Sequence, residues 1–241
     1  MPDGIVEERI IFASDDLQLA AVLAYPDGMT PERAVLLCSP HPHFAGNMDN
    51  NVVCAIARKL ATHSVTLRFD YRGVGDSQIN LRSGLSVFDY WSKIEEARDY
   101  SDAVRDVSAA ACALAGASGA LNIPLSVVGY SFGTATGLLY GRSKDDVRNM
   151  VAIAPPLGKV SFDFMSDCSK PCLCLIGKGD FLYSSEKAEE LRRTLPSNAI
   201  VEILETADHF FRGDEDLVAE RVDEFVRDNV IVSSEETSDA I

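Results

Sequence analysis

The chain has 241 residues, 46% of them hydrophobic and 24% charged, which suits one sizeable globular domain. Its 22 basic and 37 acidic residues leave a formal net charge of −15. That charge repels phosphate backbones and anionic membrane surfaces, so neither nucleic acid nor a membrane is an expected partner.

Strand and helix signals alternate along the chain. EERIIFAS and LQLAAVLAY, split by Asp15 and Asp16, read as a hairpin. AVLLCS is a short apolar run, the pattern of a strand buried on both faces. Met48 to Thr62 carries apolar residues at helical spacing, and SVTLRFD is a second buried strand. Residues 78–94, QINLRSGLSVFDYWSKI, read as a long loop, and Glu95 to Ala117 as one alanine-rich helix ended by Gly116 and Gly119. LSVVG is then a strand and Ser131 to Tyr140 a helix. VRNMVAIAP and PCLCLIG are strands, Ser185 to Thr194 a helix, AIVEILE a strand and Asp214 to Asp228 the last helix. This alternation predicts a mostly parallel central sheet with helices on both faces. There is no repeat or linker, so residues 1–232 form one domain and the polar, acidic residues 233–241 a mobile tail.

The sharpest local pattern is GYSFG, Gly129 to Gly133, a G-x-S-x-G with a strand before it and a helix after it. A serine on a tight strand-to-helix turn lifts its hydroxyl clear of the backbone, and glycines two residues either side let the chain turn without clashing. The free N–H groups of the new helix then face the place where an oxyanion would form. Ser131 is therefore the expected nucleophile. A serine hydroxyl needs a base, and the chain offers four histidines: His41, His43, His63 and His209.

His209, in ETADHFFRG, follows the last strand, at the sheet edge where open α/β folds bind ligands. It is the expected base. His63 reads as a cap or surface residue, and His41 and His43 as structural side chains of a proline-rich turn. Asp180, in LCLIGKGDFL, follows the preceding strand and is the expected orienting acid. Asp163 and Asp167 are weaker alternatives, since neither directly follows a strand. Asp208 is badly placed to reach its neighbour's ring and reads as a loop cap. For the oxyanion hole, the Phe132 N–H pairs with one from CSPHPHFAGNMDNN. Pro40 and Pro42 cannot donate, which leaves His43 or Phe44, with His43 preferred. Phe44, Phe88 and Trp91 are candidate pocket residues; the aromatics of 78–94 could equally plug that segment onto the core.

Two other patterns are set aside. SVTLRFDYRGVGDSQ has G-x-G after a strand, but Gln78 stands where a dinucleotide turn needs its third glycine, so no nucleotide cofactor is expected. Cys168, Cys172 and Cys174 lack the paired spacing and nearby histidine of a zinc site, so no metal is expected. With Cys38, Cys54 and Cys112 they read as small, mostly buried, reduced hydrophobes.

Taken together, HPHFAGNMDNN, FDYRGVGDS, GYSFG, GKGDF and ADHFF, in that order, resemble the small lid-less α/β hydrolases related to dienelactone hydrolases and short carboxylesterases. The resemblance spans about residues 10 to 230. It implies the α/β-hydrolase fold without a large cap domain, a nucleophile at Ser131, an acid at Asp180 and a base at His209, and no cofactor. Ser39 replaces the first histidine of the family's HPHP run, and Ala45 one glycine of its glycine pair. Dienelactone hydrolases proper use a cysteine nucleophile, so their specific activity is not implied.

The expected activity is hydrolysis of a small-molecule ester or thioester by a serine enzyme. Carbon–carbon or amide cleavage by the same triad, or a non-catalytic binding protein on this fold, are the alternatives. No apolar run is long enough to span a bilayer, and MPDGIVEERI lacks the apolar core of a secretory signal, so the expected location is the cytoplasm. Edge strands and the aromatic segment offer a face for a homodimer. Arg68, Arg72 and Arg82 read as structural partners of the many acids.

Overall fold

In the computed structural model, which describes residues 4–117 and 123–228, the apolar runs become one eight-stranded sheet. The strands are β1 (Ile5–Ser14), β2 (Leu17–Pro26), β3 (Ala34–Cys38), β4 (Val65–Phe69), β5 (Leu125–Tyr130), β6 (Val147–Ile153), β7 (Cys172–Gly177) and β8 (Ile200–Leu204). Their spatial order is β1-β2-β4-β3-β5-β6-β7-β8. β1 and β2 form the expected antiparallel hairpin, β2 runs antiparallel to β4, and the rest are parallel. Gly119 and the tail 233–241 lie outside the described residues.

The central strands are apolar throughout because both faces are covered. In β3, Val35 and Leu37 pack on one side of the sheet and Leu36 and Cys38 on the other. Helices α1 (Asn51–Leu60) and α6 (Glu215–Asp228) cover the first side. Helices α3 (Ser101–Ala117), α4 (Phe132–Gly141) and α5 (Ser185–Thr194) cover the second. Each fully buried aliphatic side chain contributes about 1.5–3 kcal/mol relative to exposure.

The segment 78–94 is not a loop throughout. Helix α2 (Val87–Ala97) begins in it, and the helix expected from Glu95 is two helices. Ser86 and Asp89 form a reciprocal capping box that starts α2. Arg98, in the left-handed region, ends it, and the Asp99 carboxylate accepts the Ser101 N–H to start α3. Between β6 and β7 the only helical piece is the single 3-10 turn Asp163–Met165, so no cap domain covers the sheet edge.

The chain leaves β3 toward β4 on one side and returns through β5 on the other. The segments following β3 and β5 therefore diverge and leave a crevice at the carboxyl edge. The segment FDYRGVGDS braces this region. Asp70, buried, accepts the Met48 N–H at 2.7 Å, and Ser77 Oγ donates to the Asp70 carbonyl at 2.8 Å. A Cβ on Gly75 would lie 2.5 Å from the Asp70 carboxylate, and the φ of +53° at Gly75 suits glycine. Arg72 binds the buried Asp106 of α3, and Arg68 binds Glu7, as their structural reading expects. Arg82 has no carboxylate partner among the described residues.

All six cysteines are free. Cys38, Cys172 and Cys174 are buried, Cys54 and Cys168 are half-buried, and Cys112 is exposed on α3. Cys112 thus departs from the buried reading, because its helix turns that position to solvent. Burial pushes the Cys38 and Cys172 thiols up to about 12, which removes the reactive thiolate. At pH 8, native protein is expected to alkylate first at Cys112, with Cys38, Cys172 and Cys174 reacting only after denaturation. Peptide mass spectrometry reads this directly, and prompt native labelling of Cys38 would contradict the packing.

Candidate active site

The glycines of GYSFG are dictated by contact. A Cβ on Gly129 would sit 2.2 Å from the Gly133 carbonyl oxygen, and one on Gly133 would sit 2.1 Å from the Cys38 carbonyl oxygen. The turn therefore closes only with hydrogen at both positions. Between them Ser131 has φ 51° and ψ −113°, a conformation that costs an L-residue about 1–3 kcal/mol. Its N–H donates to the Ile153 carbonyl at 2.8 Å, which pins the turn to the end of β6.

Two further loops meet this turn. After β7 the chain reads GKGD, and a Cβ on Gly177 would lie 2.5 Å from the Ala207 carbonyl oxygen. The Gly179 N–H donates to that same carbonyl at 2.9 Å. Bare glycine backbone thus lets the Asp180 and His209 loops touch. Tyr130 Oη, next to Ser131, donates to the His209 carbonyl at 2.9 Å.

The result is a continuous hydrogen-bonded chain. Ser131 Oγ lies 3.1 Å from His209 Nε2, and His209 Nδ1 lies 2.6 Å from Asp180 Oδ2. The other oxygen of Asp180 accepts the Leu182 N–H at 2.7 Å. Asp180 and His209 are both buried, and Ser131 is partly exposed. A carboxylate bonded to Nδ1 fixes the proton there and leaves Nε2 to accept from the hydroxyl.

The weaker candidates have other partners. Asp167 pairs with Arg142, Asp208 caps its own loop by accepting the Phe210 N–H, and Asp163 stands in the 3-10 turn. His63 lies 2.5 Å from the buried Asp223 of α6, an ion-pair position rather than a cap.

The Phe132 N–H belongs to the first residue of α4, so it has no intrahelical acceptor. On the β3 side the arrangement is tighter than expected. The His43 N–H donates to His41 Nδ1 at 3.0 Å, and the Phe44 N–H donates to the His41 carbonyl at 3.1 Å. Neither is free as the loop stands. His41 is buried between Trp91 and Phe132, with Nε2 3.0 Å from the Glu95 carboxylate of α2. The His41 contact holds that carboxyl below its ordinary range.

Of the candidate pocket residues, Phe44 and Phe88 are exposed at the crevice. Trp91 is corrected: it is 0% exposed and packs with Tyr71, Phe132 and His41, so it plugs α2 onto the core and walls no pocket. Phe181 and Phe210, absent from the candidates above, also stand at this edge, with ring centroids 4.8 and 5.5 Å from the His209 ring. Their adjacency in sequence to Asp180 and His209 is the signal that finds them.

The sheet order, the elbow and the uncovered edge define the α/β-hydrolase fold in its lid-less form. The solved structure of XC6422 from Xanthomonas campestris, described as an α/β serine hydrolase without lid, superposes with a TM-score of 0.74 over 95% of this chain and 96% of its own, at 21% identity. The Pyrococcus furiosus esterase Pf2001 superposes with a TM-score of 0.73 over 93% of each chain, at 15% identity. In sequence, the chain is 26% identical over 199 residues to the uncharacterized protein RP471 of Rickettsia prowazekii, covering 78% of this chain and 76% of that one. No family model matches the chain. Among the described residues no helix is long and apolar enough to cross a membrane.

Proposed function

We propose that the protein is a serine hydrolase that cleaves a carboxylic ester or thioester of small or medium size through an acyl-enzyme. The observation that carries this reading is the chain from Ser131 Oγ through His209 to Asp180, set on a strained turn at an open sheet edge. His209 Nε2 takes the hydroxyl proton as Ser131 Oγ attacks the substrate carbonyl. Asp180 stabilises the imidazolium and does not itself take the proton. The Phe132 N–H receives the oxyanion. The His43 N–H joins it, exchanging the His41 Nδ1 acceptor for the stronger charged one. His209 then hands its proton to the leaving alkoxide or thiolate. A water molecule, deprotonated by His209, attacks the acyl carbon and releases the acid with Ser131 restored.

The descriptions of the two structural neighbours, a lid-less serine hydrolase and an esterase, support this chemistry over a purely binding role. Free cysteines and an acidic surface fit a protein working in the cytoplasm. The test is incubation with p-nitrophenyl acetate and butyrate, and separately with a fluorophosphonate. Nitrophenol release and a covalent adduct on the Ser131 peptide are expected. No adduct, together with no turnover of either esters or thioesters, would reject the hydrolase and favour a non-catalytic binding protein.

A further inference from the structure

Eight large hydrophobic side chains are exposed among the described residues: Ile11, Met29, Phe44, Phe88, Phe181, Ile200, Phe210 and Leu217. The four aromatic ones lie against the catalytic edge, Phe181 and Phe210 beside His209 and Phe44 and Phe88 beside His41 and His43. Phe44 is 85% exposed, Phe181 70%, Phe88 63% and Phe210 40%. Scattered single apolar residues are ordinary, but a cluster of one residue type around a reactive group marks a binding surface.

All four rings rest on residues that touch the reacting groups. Phe181 lies 4.8 Å from the His209 ring and 6.3 Å from Phe210. Phe88 stacks on His43, centroids 4.1 Å apart and planes 18° apart, and its carbonyl oxygen lies 2.8 Å from His43 Nε2. Phe44 lies 6.0 Å from His41, which itself contacts the ring of Phe132 beside the nucleophile. One pair is therefore anchored to the base and the other to the oxyanion loop, with Ser131 linked to both. Arg212 sits 4.8 Å over Phe210 and occupies one face of that ring.

We infer that this collar receives a planar aromatic group, so that the substrate is an ester or thioester with an aryl ring in its acyl or its alcohol part. The inference rests on the hydrolase reading and narrows it. Flat rings gain offset-stacked and edge-to-face contacts from phenylalanine that a saturated chain does not. The stacked His43–Phe88 pair already adopts such a geometry at this site. The edge has no lid, so a flexible chain would lose its rotamer freedom with nothing to enclose it, whereas a rigid ring has little freedom to lose.

The experiment compares kcat/KM for methyl 3-phenylpropanoate and methyl hexanoate, two apolar esters of similar reach, with vinyl acetate as a minimal substrate. The aryl ester is expected to lead by about tenfold, from a few ring contacts. Phe181→Ala and Phe88→Ala should each pull that ratio toward one, chiefly through KM. Leu217→Ala, an exposed residue outside the collar, should leave it intact. Equal rates for the two esters, or a ratio that ignores both phenylalanine substitutions, would overturn the inference while vinyl acetate turnover still upheld the hydrolase. If no ester or thioester is cleaved and no fluorophosphonate adduct forms, the hydrolase reading fails, and calorimetric binding of 3-phenylpropanoate against hexanoate decides the collar without turnover. Preference for the aryl acid, lost in Phe181→Ala, supports it, and equal affinities reject it. A dimer that Phe181→Ala dissociates with no change in ligand preference would assign the rings to a second copy instead.

Discussion

Ser131→Ala is expected to lower kcat/KM for ester hydrolysis by about 10⁵-fold to 10⁶-fold, with stability unchanged to within about 0.5 kcal/mol. Ser131→Gly is expected to be equally inactive yet more stable, by about 1 kcal/mol. Both variants lack the nucleophilic oxygen, so their activities should coincide. Their stabilities should not, because the backbone at this position sits at φ 51° and ψ −113°. Alanine keeps the Cβ and so keeps the strain. Glycine removes it, gaining part of the usual 1–3 kcal/mol and giving back about 0.4–1 kcal/mol through a freer unfolded chain. The turn cannot relax to avoid the strain. The Ser131 N–H is bonded to Ile153, the Ser131 carbonyl accepts the Thr134 N–H, and Gly129 and Gly133 are in close backbone contact. Urea denaturation of the three proteins, with the m-value held constant, measures the difference. A glycine variant less stable than the alanine variant would mean that the elbow stores no strain.

The local patterns were legible where one segment carries its own geometry. GYSFG demands glycine at both ends because a Cβ on Gly129 would meet the Gly133 carbonyl and one on Gly133 the Cys38 carbonyl, and that demand is visible as spelling. Helix α5 runs over the expected Ser185–Thr194 because Ser184 caps it, its side chain accepting the Lys187 N–H, and Leu195 closes it in an extended conformation. Asp180 and His209 could be placed at one edge because each lies a few residues past a strand of the parallel part of the sheet, and such strands bring their carboxyl ends to one edge.

What escaped depends on partners distant in sequence. His63 looks like a surface residue until α6 brings Asp223, 160 residues away, against it. The engagement of the His43 N–H by His41 depends on the ring orientation of His41, which Trp91 and Glu95 of α2 and Phe132 of α4 fix from two separate elements. Helix α2 is different, since its capping box at Ser86 and Asp89 was present in the letters. The aromatic run Phe88–Trp91 hides it, because one ring is exposed and another fully buried, so the run shows no single apolar face.

Asp106→Ala is expected to cost about 3–5 kcal/mol, because it strands a buried cation. Asp106 is fully buried on α3 and accepts four hydrogen bonds' worth of polar groups from other segments. Ser14 Oγ at the end of β1 donates at 2.7 Å, the Arg72 backbone N–H at 3.1 Å, Arg72 Nη2 at 2.7 Å and Arg72 Nε at 3.0 Å. Burial opposes the Arg72 charge, and the bonds to Asp106 more than offset it, holding the guanidinium above its ordinary range. Removing the carboxylate leaves a buried cation and two orphaned donors. Asp102 and Asp15, 3.3 and 3.7 Å from Arg72, are more exposed and can recover only part of the loss. Asp106→Asn should lose less, because its carbonyl still accepts, and Asp106→Leu combined with Arg72→Met should lose less than Asp106→Ala alone, because no charge is left stranded. The damage should also reach the active site. Arg72 belongs to the segment whose Asp70 holds the Met48 N–H beyond the oxyanion loop, so ester turnover in Asp106→Ala should fall at temperatures where the protein is still folded. Urea titration of the four proteins, with turnover followed alongside, tests both parts. A loss under about 1 kcal/mol for Asp106→Ala would show that the ion pair is not what joins β1, the Arg72 segment and α3.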